Sequence, residues 1–167
     1  MDGGREVDDL DALYAASYRR LVVQMYAICG DLADAEDAVQ EAFITAIRKR
    51  RTLRAAQNPE AWIRTVALHR LHRGWRLAAV VRRHQAAARG PEPSVEVGPE
   101  HVVLVAALGR LDPDQRDVVV LHHLADLSVA DIAQDLDLPI GTVKSRLGRG
   151  RERLGELLME SEEPSHD

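Results

Sequence analysis

The chain has 167 residues, of which 46% are apolar, 29% charged and 4% aromatic, a composition that suits a soluble domain or two small ones. No segment approaches the roughly 20 consecutive apolar residues of a bilayer span, and the acidic start Met1-Asp-Gly-Gly-Arg-Glu6 is unlike a signal peptide, so a cytoplasmic protein without membrane insertion is expected. The formal net charge is -5, and the single cysteine, Cys29, excludes an internal disulfide and a cysteine-rich zinc site.

Leu10, Leu13, Tyr14, Leu21, Val22, Met25, Ile28 and Cys29 recur at steps of three and four, which predicts a helix ending near Gly30. Asp34 is the expected N-cap of a second helix, along which Ala35, Ala38, Val39, Ala42, Phe43, Ala46 and Ile47 form an apolar stripe. Glu36, Asp37, Gln40, Glu41 and the apolar Ile44 are assigned to its opposite face. Asn58-Pro59 opens a third helix through Trp62, Ile63, Val66, Ala67 and Leu71. On it Thr65, His69, His72, Arg73 and Arg76 lie at i, i+4, i+7, i+8 and i+11 and share a face. The run Arg89-Gly-Pro-Glu-Pro-Ser-Val-Glu-Val-Gly-Pro99 cannot be continuous helix, and a linker over 80–100 is expected between domains at 8–79 and 101–160.

Beyond it, Leu111-Asp-Pro-Asp-Gln-Arg116 opens a helix through Val118, Val119, Leu121 and His122. Ser128 caps a short one containing Val129, Ile132, Ala133 and Leu136. Asp137-Leu-Pro139 breaks the chain, and Ile140 begins another helix with Val143, Leu147 and Leu154 inward. Thr142, Ser145, Arg146 and Arg149, with Lys144 beside them, face outward. Two helices joined by a tight turn, a small residue (Ala133) at the crossing and a polar, arginine-bearing stripe on the second match a helix-turn-helix that reads a major groove. Gly148 and Gly150 each weaken that helix by about 1 kcal/mol relative to alanine, so its end is expected to order only on DNA.

Charge falls in blocks. Residues 1–47 carry ten acids and three bases, 48–89 one acid and twelve bases, and 90–167 sixteen acids and seven bases. The central excess, Arg48, Lys49, Arg50, Arg51, Arg54, Arg64, Arg70, Arg73 and Arg76 among it, is a footprint for a polyanion, while the acidic flanks require a different partner. With no sustained period-2 alternation, the expected fold is all-α: two small helical domains joined by a flexible linker, the C-terminal one containing the helix-turn-helix.

Asp34-Ala-Glu-Asp-Ala-Val-Gln-Glu-Ala-Phe43, Asn58-Pro-Glu-Ala-Trp62 and the run from Leu127-Ser-Val-Ala-Asp-Ile-Ala to Pro139-Ile-Gly-Thr-Val-Lys-Ser-Arg-Leu147 resemble, in order, the signature segments of an extracytoplasmic-function (ECF) sigma factor of the sigma-70 class. The resemblance covers roughly residues 8–77 and 103–158. It implies a transcription-initiation subunit that directs promoter recognition and DNA melting. Asp37, Gln40, Glu41 and Ile44 would meet the clamp helices of core RNA polymerase. Thr65, His69, His72, Arg73 and Arg76 would meet the minus-ten element of promoter DNA, with a base-capturing loop over 48–57. Thr142, Lys144, Ser145, Arg146 and Arg149 would meet the minus-thirty-five element. An anti-sigma protein is implied as a further partner, and the acidic linker resembles the family's channel-threading segment. The chain departs from the usual pattern at Asp137, where the turn commonly has Gly, at His69 and Arg73, where Asn and Asp are common, and at Ile47, where Trp is common; these bear on base preference more than on activity.

The other reading of the helix-turn-helix is a repressor or activator that binds DNA without polymerase, which leaves the 34–43 helix and the basic block without a role. An enzyme is not expected, because no Glu-x-x-His pair, phosphate loop or nucleophile-base spacing is present. No cofactor or metal is expected either: His69 and His72 lack a nearby Cys or carboxylate in sequence and read as solvated or DNA-facing. Cys29 and Trp62 read as core residues, and His122 with His123 as a surface pair.

Overall fold

The computed structural model describes the backbone over residues 3–81 and 94–162 and the side chains over 9–74 and 94–161. Among the described residues all regular structure is α-helical: α1 (Gly3–Cys29), α2 (Leu32–Arg48), α3 (Arg50–Ala55), α4 (Pro59–Val81), α5 (Pro99–Gly109), α6 (Pro113–His123), α7 (Val129–Asp135) and α8 (Ile140–Glu162). They divide into two compact units, a first ending at Glu96 and a second that begins at Val97 and takes in Ala27–Gly30.

Helix α1 stops where Gly30 takes the left-handed conformation at φ 74°, which costs glycine nothing. The cap of α2 is Asp31, not Asp34: its carboxylate accepts the Asp34 N–H at 2.9 Å. Both aspartates have the right chemistry, and the earlier one wins because the helix already starts at Leu32. Ala35, Ala38, Val39, Ala42, Phe43 and Ala46 are buried, and the small size of the four alanines lets α2 pack closely against Ile63, Ala67, Leu68 and Leu71 of α4. Ile47, assigned to the same stripe, is half exposed at its end. Tyr14 of α1 stacks on Tyr18 and meets Phe43 edge-on, at centroid separations of 4.7 and 4.9 Å. Asn58 caps α4 through Oδ1, 3.0 Å from the Ala61 N–H. Between α2 and α4 the chain forms the additional helical turn α3, whose Leu53 is buried.

In the second unit, α5 precedes the elements expected from sequence. Asp112 caps α6 and Ser128 caps α7, each accepting an N–H of the first turn. The turn after α7 is a Schellman motif: Leu138 N–H reaches Ala133 O at 2.9 Å and Asp137 N–H reaches Gln134 O at 3.3 Å, with Asp137 at φ 53°. Val118, Val120, Leu121, Ile132, Val143 and Leu157 form the core. Contrary to the expectation of a frayed end, α8 runs unbroken through both glycines. Gly150 is buried where α8 crosses α6, and a Cβ there would lie 2.6 Å from Val119 Cγ2. The residue that lowers helix propensity is the one that permits close approach.

Candidate polymerase and nucleic-acid interfaces

On α2, Asp37 and Gln40 are exposed, Glu41 is half-buried, and Ile44 is 38% exposed, a large apolar side chain left uncovered beside three polar ones. Gln40 Nε2 donates to Tyr18 Oη at 3.2 Å, and Arg70 Nη2 lies 3.8 Å from Asp37 Oδ2. That pair is solvent-exposed and therefore weak, but it turns Arg70 toward α2 and away from the expected polyanion face.

Glu36 does not belong to this outward face. It is 7% exposed, and its Oε1 accepts the Ser94 N–H at 2.8 Å, the Ser94 hydroxyl at 2.7 Å and the Val95 N–H at 2.7 Å. Arg19 Nη2 donates to the Glu96 carbonyl at 2.9 Å, and Val95 is buried. A carboxylate taking three donors is well compensated for its burial. The residues 94–96, read from sequence as linker, are thus strapped onto the first unit.

Along α4, Thr65 and His72 are half-buried while His69 and Arg73 are exposed; Arg76 lies on the helix, with its side chain outside the described residues. Thr65 Oγ1 donates to Ala61 O at 3.0 Å and retains acceptor capacity. Arg64 is 4% exposed and so leaves the basic surface to which sequence assigned it; it sits one position from the exposed face and next to Ile63 in the core. Trp62 is half-buried rather than core. Arg20 pairs with Glu60 through two hydrogen bonds, and this guanidinium holds the Glu60 carboxyl below the usual range against the opposing effect of burial. Arg48, Lys49, Arg51 and Arg54 are exposed along α2's end and α3. A cavity of about 360 Å³ is lined by Leu10, Leu13, Leu53 and Pro59 with Asp9, Arg50 and Arg54.

In the second unit, Lys144, Ser145 and Arg149 of α8 are exposed, and Thr142 and Arg146 are half-buried. Val143 and Leu147 are buried between them, so one helix carries an apolar anchor and an accessible polar stripe. Arg146 Nη2 lies 3.2 Å from Asp114 Oδ2 on the first turn of α6, a pairing that sequence did not indicate. At the far end of α6, His122 Nδ1 is 2.9 Å from the Leu127 carbonyl, and Arg151 Nε donates to His123 Nε2 at 2.9 Å. Burial, then the Arg151 and His122 charges, hold His123 below the ordinary imidazole range.

Two acidic-to-apolar and basic surfaces on a first helical unit, followed by a helix-turn-helix unit, are the arrangement in which the comparisons with known proteins fall. A model of sigma-70 region 2 matches residues 13–80, and one of sigma-70 region 4 matches residues 101–154. Over 148 residues the chain is 31% identical to the ECF RNA polymerase sigma factor SigC of Mycobacterium tuberculosis, a match spanning 80% of this chain and 75% of that protein. The chain belongs to the ECF sigma factors. This sigma factor is also 33% identical over 165 residues to SigE of Mycolicibacterium smegmatis, covering 90% of its own length but 61% of that relative. Among solved structures it resembles the sigma factor RpoE in complex with the anti-sigma factor NepR from Bartonella quintana, with TM-score 0.74, 25% identity, and coverage of 90% of this chain and 97% of that one. CnrH in complex with the cytosolic domain of CnrY shares the fold, with TM-score 0.65 and 22% identity over 92% of this chain and 89% of that one. No helix among the described residues is long and apolar enough to cross a membrane.

Proposed function

We propose that this sigma factor binds core RNA polymerase and directs promoter recognition, DNA melting and transcription initiation in the cytoplasm. The observation that carries the reading is the exposed Lys144, Ser145, Arg149 stripe on a buried Val143–Leu147 anchor, within the segment matched by sigma-70 region 4. A domain over 101–160 takes the minus-thirty-five element through that stripe with Thr142 and Arg146. A domain over 8–79 engages the polymerase clamp helices through Asp37, Gln40, Glu41 and Ile44. Its Thr65, His69, His72, Arg73 and Arg76 track the minus-ten element, where cations offset the cost of unstacking bases. Regulation by an anti-sigma protein is supported by the likeness to RpoE bound to NepR.

The test is reconstitution. The purified chain is added to core polymerase and its start sites are mapped on genomic fragments; promoter-dependent initiation is expected. A chain that binds duplex DNA yet neither co-elutes with core polymerase nor supports initiation is a repressor or activator instead.

A further inference from the structure

We propose that Asp114 sets the specificity of the upstream promoter interface: it positions the Arg146 guanidinium for base recognition and, through its own charge, disfavours unspecific duplex. The inference rests on the proposed role of α8 in DNA binding and deepens it.

The geometry is that of a two-rung contact. At the first rung Asp114 Oδ2 meets Arg146 Nη2 at 3.2 Å. One turn further along α8, Gly150 abuts Val119 and Gln115 of α6, so the helices are pressed together with no side chain contributed by α8 at that point. The backbone of Asp114 is fixed in the first turn of α6, because its N–H donates to the capping Asp112 Oδ1 at 3.1 Å. The Arg146 side chain is 30% exposed and that of Asp114 66%, so the arginine stem lies against the unit while its charged tip and the carboxylate come to the surface together.

An ion pair this exposed adds little to folding stability. Its effect on recognition is larger for two reasons. A free arginine samples many rotamers and loses that freedom when it docks, whereas a guanidinium already held by one nitrogen has less to lose, and its other N–H donors can still address a guanine edge. The carboxylate also repels phosphate. On unspecific duplex, where Arg146 is drawn to the backbone, Asp114 competes for it and opposes the approach of the DNA, which is discrimination by an unfavourable element.

The experiment uses the full chain bound to core polymerase. A binding site is enriched from a randomised duplex, and affinities for that site, for each single-base variant and for an unrelated duplex are measured over a salt series. Wild type is compared with Asp114→Asn, Asp114→Glu, Arg146→Ala and the Asp114→Asn/Arg146→Ala double variant, with thermal melting as a control for folding. Arg146→Ala is expected to lower discrimination about tenfold at one or two adjacent positions. Asp114→Asn should lower it about threefold at the same positions, tighten binding to the unrelated duplex about threefold and steepen the log–log salt slope by about one, as a released arginine gains a phosphate. Asp114→Glu should restore discrimination, and the double variant should match Arg146→Ala in base preference while binding the unrelated duplex more tightly than that single variant, because the carboxylate's own repulsion is removed. If Arg146→Ala has its positional effect while Asp114→Asn changes no base preference, or weakens all sequences equally, the pair is only a packing tie and the inference is overturned. If Arg146→Ala has no positional effect, the DNA-reading role of Arg146 is overturned with it.

Discussion

One oxygen of the Glu36 carboxylate holds Ser94 twice, accepting from its backbone N–H and from its hydroxyl, across 58 residues of sequence. With the Val95 N–H as third donor, this long-range polar contact ties part of a proline-rich segment to the middle of the α2–α4 packing. Glu36→Ala removes every acceptor of the clasp and should cost about 2 kcal/mol, the range for hydrogen bonds to a buried charged group. Urea denaturation of the full chain measures the loss. Amide exchange at Ser94 and Val95 should accelerate in the variant while the amides of α4 remain protected relative to the new global stability.

The polar face of α2 can be altered without touching that core. Asp37→Arg with Glu41→Arg reverses two charges at exposed and half-buried positions, so the melting temperature should stay near wild type. Affinity for core polymerase should fall at least tenfold, because like charges across an interface oppose association. Unchanged affinity in a titration of labelled core would move the polymerase surface elsewhere. Val39→Asp is the contrasting variant: it places a charge at a fully buried position and should unfold the first unit.

The two glycines of α8 should respond in opposite directions. Gly148 has nothing within 4 Å of a would-be Cβ, so Gly148→Ala should stabilise the second unit by about 1 kcal/mol through helix propensity. Gly150→Ala gains the same propensity but drives a methyl to 2.6 Å from a branched Val119 side chain that cannot swing away. The helices must separate, and a net loss of about 1–2 kcal/mol is expected. Paired chemical melts of the two variants decide it, and equal stabilisation would mean that the α6–α8 crossing is loose.

His123 makes the second unit sensitive to mild acid. Its folded-state pKa lies below that of the unfolded chain, so the unfolded state binds more protons as pH falls past the ordinary imidazole value near 6.5. Stability associated with neutral His123, which accepts the Arg151 hydrogen bond, is therefore complete above that value and is lost as pH falls from there to the depressed folded pKa. In an NMR titration the His123 resonances should move at lower pH than a histidine of the urea-unfolded chain. His123→Gln, which keeps an acceptor without titrating, should flatten the dependence of the urea midpoint on pH over that window.

Features that depend on neighbours in sequence were open to inspection. Asn58 and Ser128 announce their helices by side-chain chemistry alone, and the alanines of α2 mark the buried face by spacing, because both are properties of one turn of helix. Features that depend on a distant partner were not. Glu36 reads as one more acid on a polar face until Ser94 and Val95 arrive to satisfy it. Arg64 is adjacent to the basic face by helical angle, and Ile47 to the apolar one; a shift of less than one position decides burial at such edges. The Asp31 cap was missed for a local reason, since two aspartates three residues apart both fit. Of the proposed interface residues, spacing is enough to align Thr142, Ser145, Arg146 and Arg149, but nothing along α8 reveals that Asp114 pairs with one of the four.

The composition of the Glu36 clasp bears on how such chains can diverge and be recombined. Two of its three donors are backbone amides, which every residue but proline possesses. The two amide contacts therefore place no demand on the side chains at 94 and 95, where only the Ser94 hydroxyl and the burial of Val95 restrict the choice, whereas position 36 must keep an acceptor of the same reach. For chimaeras that exchange whole domains between relatives, the natural seam lies after Glu96, so that the strap travels with the helix that holds it.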